Sequence, residues 1–200
     1  MFKASNISKS YGKNLVLNNI SLSLDSGQSA VIAGRNGVGK STLLSIFAGY
    51  LKADSGTIER GSIGYLPQQD NLFEELKVID NITFWAKAAK AADLPQDFMQ
   101  LFGIEKYTNK RVKKLSGGMK KSVAICCAMV SRPNILIMDE PFASLDMFYK
   151  KDLIQALAKL KDMGKTIIYT SHSTDEITAL NSAVYVLESG LLSQGITWEI

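Results

Sequence analysis

The sequence has no long hydrophobic run. Its longest uninterrupted apolar stretch is the eight residues 123–130, whereas a membrane-spanning helix needs about 20. It also lacks an export signal, because residues 1–6 contain neither an apolar segment nor a small-residue cleavage pattern. These absences predict a cytoplasmic protein that does not itself cross a bilayer.

Cysteine is scarce, and the two cysteines are adjacent. Cys126 and Cys127 lie in an apolar helical pattern, where neighbours are poorly placed for a mutual disulfide and lack metal-ligand spacing. We interpret both as small core residues.

The net charge of the chain is also small, since its formal value is +4 over 200 residues. This is well below the charge of most duplex-binding proteins, so nucleic acid is not an expected partner.

The strands predicted from the sequence are typical of one α/β domain. The residues at 15–24 alternate between apolar and polar, which predicts a half-buried strand. A short apolar run at 28–33 leads into a glycine-rich turn. Continuous apolar runs at 135–138 and 166–170 predict central parallel strands covered by helices on both faces. Residues 183–187 predict a further strand.

Helices are predicted between these strands. Residues 41–48 carry apolar side chains on one face and are followed by Gly49, a common helix terminator. A second apolar stripe separates the two central strands, which predicts a strand–helix–strand unit. It consists of Leu153, Ala156, Leu157 and Leu160. Residues 70–114 have little strand character and predict a small helical insert.

A phosphate-binding loop follows the second predicted strand. Residues 34–41 match the pattern G-x-x-x-x-G-K-S/T, for which an ordinary glycine-rich turn is the alternative. Backbone N–H groups of such a loop point at phosphate oxygens, and the following helix adds its positive dipole end. Lys40 supplies a cation for the β- and γ-phosphates, and Ser41 a hydroxyl for Mg²⁺. The residues expected to bind nucleotide are Gly34, Arg35, Asn36, Gly37, Val38, Gly39, Lys40, Ser41 and Thr42.

Two carboxylates end one of the predicted central strands. Asp139 and Glu140 directly follow residues 135–138, and ligands gather beyond the carboxyl ends of parallel strands. We expect Asp139 to face a metal ion and Glu140 to orient or deprotonate an attacking water, a role worth roughly 10²–10⁴-fold in rate. An acidic pair can also cap a helix, but the phosphate loop upstream favours the catalytic interpretation.

Many protein families share a phosphate loop and an acidic strand end. The residues between these two motifs discriminate among those families. Residues 115–118, with the sequence LSGG, open a predicted helix and place Ser116 23 residues before Asp139. In isolation, such a turn is also explained as a helix cap through Ser116. In this order and spacing it resembles the signature motif of the ABC ATPase family, and the resemblance extends over nearly the whole chain.

The resemblance implies further site residues. Tyr11 resembles the aromatic that stacks on adenine, and Gln68 the glutamine that reaches the metal and the attacking water. Asp146 resembles the aspartate that bridges two subunits. His172, the only histidine, occupies the position of the residue that senses the γ-phosphate. An exposed strand end, a polar turn and a helix cap are the structural alternatives for Tyr11, Gln68 and Asp146.

The family also implies an architecture. We expect an α/β fold with a P-loop NTPase core, in which helices flank a mainly parallel sheet, together with an N-terminal antiparallel β subdomain and a small helical subdomain. In this interpretation residues 1–200 form a single domain. Its core is residues 1–69 and 131–200, and its helical subdomain is residues 70–130.

ATP, Mg²⁺ and two kinds of protein partner are implied as well. Two such domains, either two copies or this chain and a close relative, pack head to tail. The signature residues Ser116, Gly117 and Gly118 of one domain then close over ATP bound by the other. Ser41, Gln68 and Asp139 would hold the Mg²⁺. The helical subdomain docks onto integral membrane transporter subunits, which places the chain at the cytoplasmic face of the membrane. A compact cassette without a C-terminal extension resembles exporter subunits more than importer subunits.

Rival functions and local departures accompany this interpretation. A soluble ABC ATPase of translation or DNA repair is disfavoured, because only one cassette is present and 46 residues between Gln68 and Leu115 are too few for a coiled-coil arm. A regulatory ATP sensor is disfavoured by Glu140 and His172. Met119 stands where the family most often has glutamine, and methionine cannot donate the same hydrogen bonds.

A run of basic residues surrounds the signature, with Glu105 as the only acid nearby in sequence. A solvated face is one explanation, and a surface facing anionic lipid or an acidic partner is the other. The cluster consists of Lys106, Lys110, Arg111, Lys113, Lys114, Lys120 and Lys121.

Overall fold

Two β-sheets form the framework of the chain, of which the computed structural model describes residues 1–171 and 173–195. The strands are β1 (Phe2–Tyr11), β2 (Asn14–Leu24), β3 (Ser29–Ala33), β4 (Ser55–Glu59), β5 (Ile63–Leu66), β6 (Ile135–Met138), β7 (Thr166–Thr170), β8 (Ala183–Glu188) and β9 (Leu191–Gly195). The helices are α1 (Lys40–Ala48), α2 (Val78–Ala88), α3 (Gln96–Leu101), α4 (Gly117–Ala128), α5 (Met147–Asp162) and α6 (Thr174–Ala179). Two 3-10 turns, Ile104–Tyr107 and Val112–Lys114, precede α4.

The larger sheet has the strand order β5-β6-β7-β3-β8-β9. The pairs from β5 to β8 are parallel, and β9 is antiparallel to β8. The prediction of central parallel strands at residues 135–138 and 166–170 is therefore confirmed. Because β3, β5, β6 and β7 run in the same direction, the residues that follow them meet at one edge of the sheet.

Alternate residues of the central strands enter two different cores. Ile135 and Ile137 of β6 pack into the core that contains α1 and the antiparallel sheet. Leu136 and Met138 pack into the core built by the helices α2 to α5. Burial on both faces explains why these strands appear in the sequence as continuous apolar runs.

The smaller sheet is antiparallel, with the order β2-β1-β4. Its buried side chains pack toward α1, where the rings of Phe2 and Phe47 lie 5.0 Å apart in an edge-to-face arrangement. The expected fold class is confirmed: an α/β core with a mainly parallel sheet, an antiparallel N-terminal sheet and a helical segment.

Residues 70–130 form α2, α3, the two 3-10 turns and α4. Val78, Ile82 and Ala86 form the buried stripe of α2. Asn81 is buried beside them, accepts a hydrogen bond from Phe73 N (2.8 Å) and donates to Phe73 O (3.1 Å), so it holds the loop before the helix.

Cys126 and Cys127 are buried in α4, as predicted, and burial raises the pKa of Cys127 to about 12. Both thiols are therefore core groups rather than reactive ones. None of the helices in the described part of the chain combines the length and apolarity that a membrane span requires.

Candidate functional site

The phosphate loop connects β3 to α1 at the common edge of the parallel strands. Gly34 and Gly39 both have left-handed backbone conformations, with φ of 152° and 112°. A Cβ at Gly34 would lie 2.5 Å from Leu187 O, and one at Gly39 would lie 2.7 Å from Val16 Cγ1. The loop therefore needs glycine at both positions, for backbone conformation and for close packing.

Lys40 lies inside this loop and is only 6% exposed. Its Nζ donates hydrogen bonds to Gly34 O (2.8 Å) and Arg35 O (3.0 Å). Burial lowers the pKa of Lys40, while the nearby carboxylates of Glu140 and Asp139 act in the opposite direction. The ammonium is thus fixed at the loop by its own backbone and lies within the field of both acids.

A cavity of about 400 Å³ opens beside Lys40, and we call it the triphosphate cavity. Its lining residues are Asn36, Gly37, Gly39, Lys40, Ser41, Thr42, Gln68 and Glu140. The helix α1 begins here with a glycine N-cap and has no acidic residue in its first turn, so its free N–H groups and positive dipole end favour an anion. The donor set fits the phosphates of a nucleoside triphosphate.

Asp139 and Glu140 follow β6 at the same edge. Asp139 is 2% exposed, and its backbone N–H donates to Leu66 O of the neighbouring strand (2.9 Å). Glu140 has a left-handed φ of 49°, which is uncommon for a residue with a side chain. Both acids are therefore held in defined positions by their backbone.

Thr170, at the end of β7, joins these two acids. Its Oγ1 donates to Asp139 Oδ1 at 2.7 Å and accepts from Glu140 N at 2.7 Å. Thr170 is a site residue that no sequence motif indicates. The available signal is its position at the end of a strand predicted to run parallel to the strand that carries Asp139.

Gln68 extends from the end of β5 toward the same cavity. Its Nε2 donates to Glu140 Oε2 at 3.4 Å. The parallel pairing of β5 with β6 places Leu66 opposite Met138, so the residues two positions beyond each strand end meet.

The same residues offer a donor set suited to Mg²⁺. Ser41, Gln68 and Asp139 contribute hydroxyl, amide and carboxylate oxygens, the hard ligands that Mg²⁺ prefers. Within residues 1–171 and 173–195, no group of three or more His, Cys, Asp or Glu side chains is arranged to hold a metal ion. A Mg²⁺ ion that is also bound by substrate phosphates needs only one or two carboxylates, so the set is sufficient for that mode of binding.

The signature turn, residues 115–118, presents a second helix N-terminus. Ser116 and Gly117 are exposed, and Ser116 Oγ caps α4 by accepting from Met119 N at 3.3 Å. Gly118 is buried against the ring of Tyr149, where an added Cβ would come within 2.3 Å of Cγ. The first turn of α4 also has no acidic residue.

Asp146 lies near the signature turn. Its Oδ1 accepts from Phe148 N and Tyr149 N, each at 3.0 Å, and so caps α5. A Cβ on Gly117 would lie 3.9 Å from Ser144 O, so the loop before α5 borders the signature turn.

Tyr11, another predicted site residue, lies apart from these groups. Tyr11 is 51% exposed at the end of the β1–β2 hairpin, whose second strand contacts Gly39 through Val16. Lys9 Nζ lies 5.8 Å from the centre of the Tyr11 ring. His172 lies outside the described residues.

The predicted site residues that the structure describes thus fall into two groups. Six residues of the phosphate loop share the triphosphate cavity with Gln68 and Glu140, whereas Gly34, Arg35 and Val38 do not line it. Asp139 adjoins the cavity through Thr170. The described residues Tyr11, Ser116, Gly117, Gly118 and Asp146 do not line that cavity.

The basic cluster around the signature is less positive than its sequence suggests. Acids from residues 70–75 pair with several of its members in the folded chain. These pairs are Lys113–Glu75 (2.7 Å), Arg111–Glu75 (3.8 Å), Lys120–Glu74 (2.6 Å) and Lys121–Asp70 (2.7 Å). The local neutralisation favours a solvated, ion-paired face over a surface that recruits anionic lipid.

The sequence profile of the ABC transporter family matches residues 17–143, a segment that includes the phosphate loop, the signature turn and Asp139–Glu140. The linearmycin resistance ATP-binding protein LnrL of Bacillus subtilis is 32% identical, over 95% of this chain and 67% of LnrL. The molybdate/tungstate import ATP-binding protein WtpC of Pyrococcus horikoshii is 34% identical, over 97% of this chain and 61% of WtpC.

Solved structures agree with the sequence matches. The ATP-binding cassette MJ0796, in a dimeric post-hydrolysis state bound to ADP and Pi, superposes with a TM-score of 0.84 and 25% identity. The match covers 97% of this chain and 98% of that cassette. A second dimeric structure of MJ0796, described as a bacterial ABC transporter cassette, has the same TM-score of 0.84.

Proposed function

The chain belongs to the ABC transporter family of ATP-binding proteins and is an ATPase, and we propose that it is the motor subunit of an exporter, one of two cassettes acting on separate membrane subunits. The observation that supports this function is the triphosphate cavity, in which Lys40, Gln68 and Glu140 meet. An exposed signature turn elsewhere on the same chain supports the requirement for a second cassette.

Nucleotide binding is assigned to the phosphate loop. Residues 34–42 would surround the phosphates of ATP with backbone N–H groups, with Lys40 as the cation and the α1 dipole behind them. When bound, Mg²⁺ neutralises charge on the phosphates, and Ser41, Gln68 and Asp139 would hold it. Tyr11, exposed at a hairpin end, would stack on the adenine ring.

Hydrolysis is assigned to Glu140 with Gln68. Glu140 would take the proton of the attacking water, and the Gln68 amide, 3.4 Å from its carboxylate, would fix the position of that carboxylate and of the water. His172 would contact the γ-phosphate and report its loss. This set of roles is a general-base mechanism in which one carboxylate carries the proton transfer.

A second cassette, either a copy of this chain or a close relative, would complete the site. Ser116, Gly117 and Gly118 of that cassette would place the α4 N-terminus against the γ-phosphate. Asp146, in the loop that borders the signature turn, would bridge the two subunits. The dimeric MJ0796 structures support such a pairing for this fold.

A membrane partner is proposed for the helical side of the chain. We take residues 70–130 as the helical subdomain and residues 1–69 and 131–200 as the core. A cavity of about 260 Å³, which we call the insert groove, is lined by residues of β5, α2 and α4, among them Trp85. The exposed rings of Phe73 and Phe84 contact Trp85, and exposed aromatics beside a groove are typical of protein interfaces.

Binding of the insert groove to an integral membrane subunit would locate the chain at the cytoplasmic face of the membrane. Export is the direction that we propose, and the match to a resistance ATP-binding protein, LnrL, over 95% of this chain supports it. Import proteins match at similar identity.

Affinity purification from detergent-solubilised membranes tests the coupling. We expect the tagged chain to retain an integral membrane protein, and Phe84→Ser to weaken this binding roughly 30-fold without changing the ATPase rate of the isolated chain. Met163→Ser, which removes an exposed apolar side chain at the far end of α5, is the matched control. Retention of no integral protein, or equal retention by Phe84→Ser, contradicts the proposal.

Direction is tested in cells in which the Glu140→Gln variant replaces the chain. An export substrate should accumulate inside these cells and decrease in the medium, relative to cells with the unmodified chain. The opposite distribution of a metabolite would show import.

A further inference from the structure

Among the described residues, the Thr170 hydroxyl makes two hydrogen bonds, and both go to the acids of the site. It is fully buried at the end of β7. It donates its only proton to Asp139 Oδ1 and accepts the backbone N–H of Glu140, each at 2.7 Å. A hydroxyl has one donor and two acceptor positions, so the proton of Thr170 is committed to the Asp139 carboxylate.

The backbone around Thr170 explains why this hydroxyl is placed there. Residues 138 and 169 are opposite each other in the parallel β6–β7 pair, so Asp139 and Thr170 emerge side by side where the two strands end. At this point the chain turns through the left-handed Glu140 (φ 49°). Its N–H has left the regular ladder of the sheet, and the Thr170 oxygen satisfies it.

We propose that Thr170 is a positioning residue for ATP hydrolysis: one hydroxyl orients the Asp139 carboxylate toward its role with Mg²⁺ and fixes the turn that carries Glu140. The inference rests on the proposed roles of Asp139 and Glu140. Groups that orient a metal ligand typically contribute about 10- to 100-fold to metal affinity or activity. Thr170 therefore links metal binding and general-base position through a single atom.

Thr166, at the other end of β7, provides a matched control. It is also buried, and its Oγ1 donates to Asp25 O at 3.0 Å, away from the triphosphate cavity. Thr166→Val and Thr170→Val both remove a buried hydroxyl from the same strand and keep a β-branched side chain. Only Thr170→Val releases Asp139 and Glu140.

The experiment compares Thr170→Val, Thr170→Ser and Thr166→Val with the unmodified chain. Binding of ATP is measured by calorimetry in EDTA and again with Mg²⁺, and turnover is measured as a function of Mg²⁺ and ATP. We expect Thr170→Val to bind ATP normally in EDTA and to lose most of the tightening that Mg²⁺ provides. Its kcat should fall about 10- to 100-fold at saturating ATP, with a smaller change in KM.

Thr170→Ser keeps the hydroxyl and should restore both the effect of Mg²⁺ and kcat, and Thr166→Val should leave both unchanged. If Thr170→Val does not fold, Thr170→Cys, whose thiol is a weak donor, serves for the same comparison. Normal Mg²⁺ dependence and kcat in the Thr170 variant, or equal losses in Thr170→Val and Thr166→Val, would overturn the inference. Failure of the unmodified chain to hydrolyse ATP would instead overturn the proposed function.

Discussion

The phosphate loop and the signature turn both place a helix N-terminus at a phosphate site, but they differ in how much of that site the chain supplies. At the phosphate loop, Lys40 and Asp139 are buried and hydrogen-bonded to neighbouring strands and loops. At the signature turn, Ser116 and Gly117 are exposed, and the Ser116 hydroxyl caps its own helix.

This difference shows that the phosphate-loop half of the site is preorganised within one chain, whereas the signature half requires a second chain. Buried, hydrogen-bonded groups hold their geometry without a partner. An exposed helix N-terminus without an acidic first turn attracts anions but encloses none by itself. Variants of the phosphate loop should therefore affect nucleotide binding by a single chain, whereas variants of the signature turn should affect only the assembled pair.

The largest expected effect is that of Glu140→Gln. Removing the proposed base should lower turnover by roughly 10²–10⁴-fold while ATP binding persists, so an ATP-bound dimer should accumulate in size-exclusion chromatography. Glu59→Gln, at an exposed position on β4, is the control and should behave like the unmodified chain. Undiminished hydrolysis would refute the role given to Glu140.

Mixing two inactive variants, one in the phosphate loop and one in the signature turn, tests whether the two halves of a site come from different chains. Lys40→Ala should weaken ATP binding roughly 10- to 100-fold, because a charged hydrogen bond is lost. Gly117→Asp should leave monomer ATP affinity unchanged, since the nearest described atom to an added Cβ is Ser144 O at 3.9 Å and an acid stabilises a helix N-terminus. The Asp charge would, however, repel the γ-phosphate of the ATP bound by the partner cassette.

In a mixture of the two variants, each heterodimer holds one intact site. Turnover should therefore recover to roughly a quarter of the unmodified rate. Gly117→Ala is the size control for Gly117→Asp and should retain most activity. A mixture no more active than its components contradicts the head-to-tail homodimer.

The smallest expected effect lies away from both halves, at the exposed Asp97–Arg132 pair (2.7 and 2.8 Å). Hydrogen bonds from Arg132 hold the pKa of Asp97 below its usual 3.8. The stabilisation is therefore complete above that pH and is lost as the pH falls through the lower folded-state pKa. Asp97→Asn should reduce the free energy of unfolding by less than about 1 kcal/mol at pH 7.

Urea titrations at pH 7 and at about pH 2 check this sign, because the difference between Asp97→Asn and the unmodified chain should vanish at the lower pH. Turnover at pH 7 should stay within about twofold. A large loss of turnover would show that a region outside the phosphate loop and the signature turn also contributes to catalysis.

Sequence alone predicts the contiguous parts of this protein well. The phosphate loop and the signature turn each use neighbouring residues whose backbone N–H groups act together. Their functional residues are therefore contiguous in the sequence and form recognisable motifs. The helix at residues 41–48 and the central strands are also predicted, because burial imposes a period or a continuous apolar run on them.

Features that depend on register or on distant pairing are not visible in the sequence. Thr170 acquires its partners only when β6 and β7 align. The acids at 70, 74 and 75 meet the basic cluster only after α2 and α4 have packed. Strands β1, β4, β5 and β9 were not predicted as separate elements. β4 has a single half-buried residue, and β5 buries only two of its four residues whereas β6 buries all four, so the apolar patterns of β4 and β5 are too weak to detect.

The close approach of Gly118 to the ring of Tyr149 has a mechanical consequence. Tyr149 also donates its N–H to Asp146, so one aromatic residue joins the start of α4 to the start of α5. Rotation of either helix would therefore be transmitted to the other through the packing of the Tyr149 ring on Gly118. A nucleotide-driven movement of the signature turn would then reach Asp146 within the same chain.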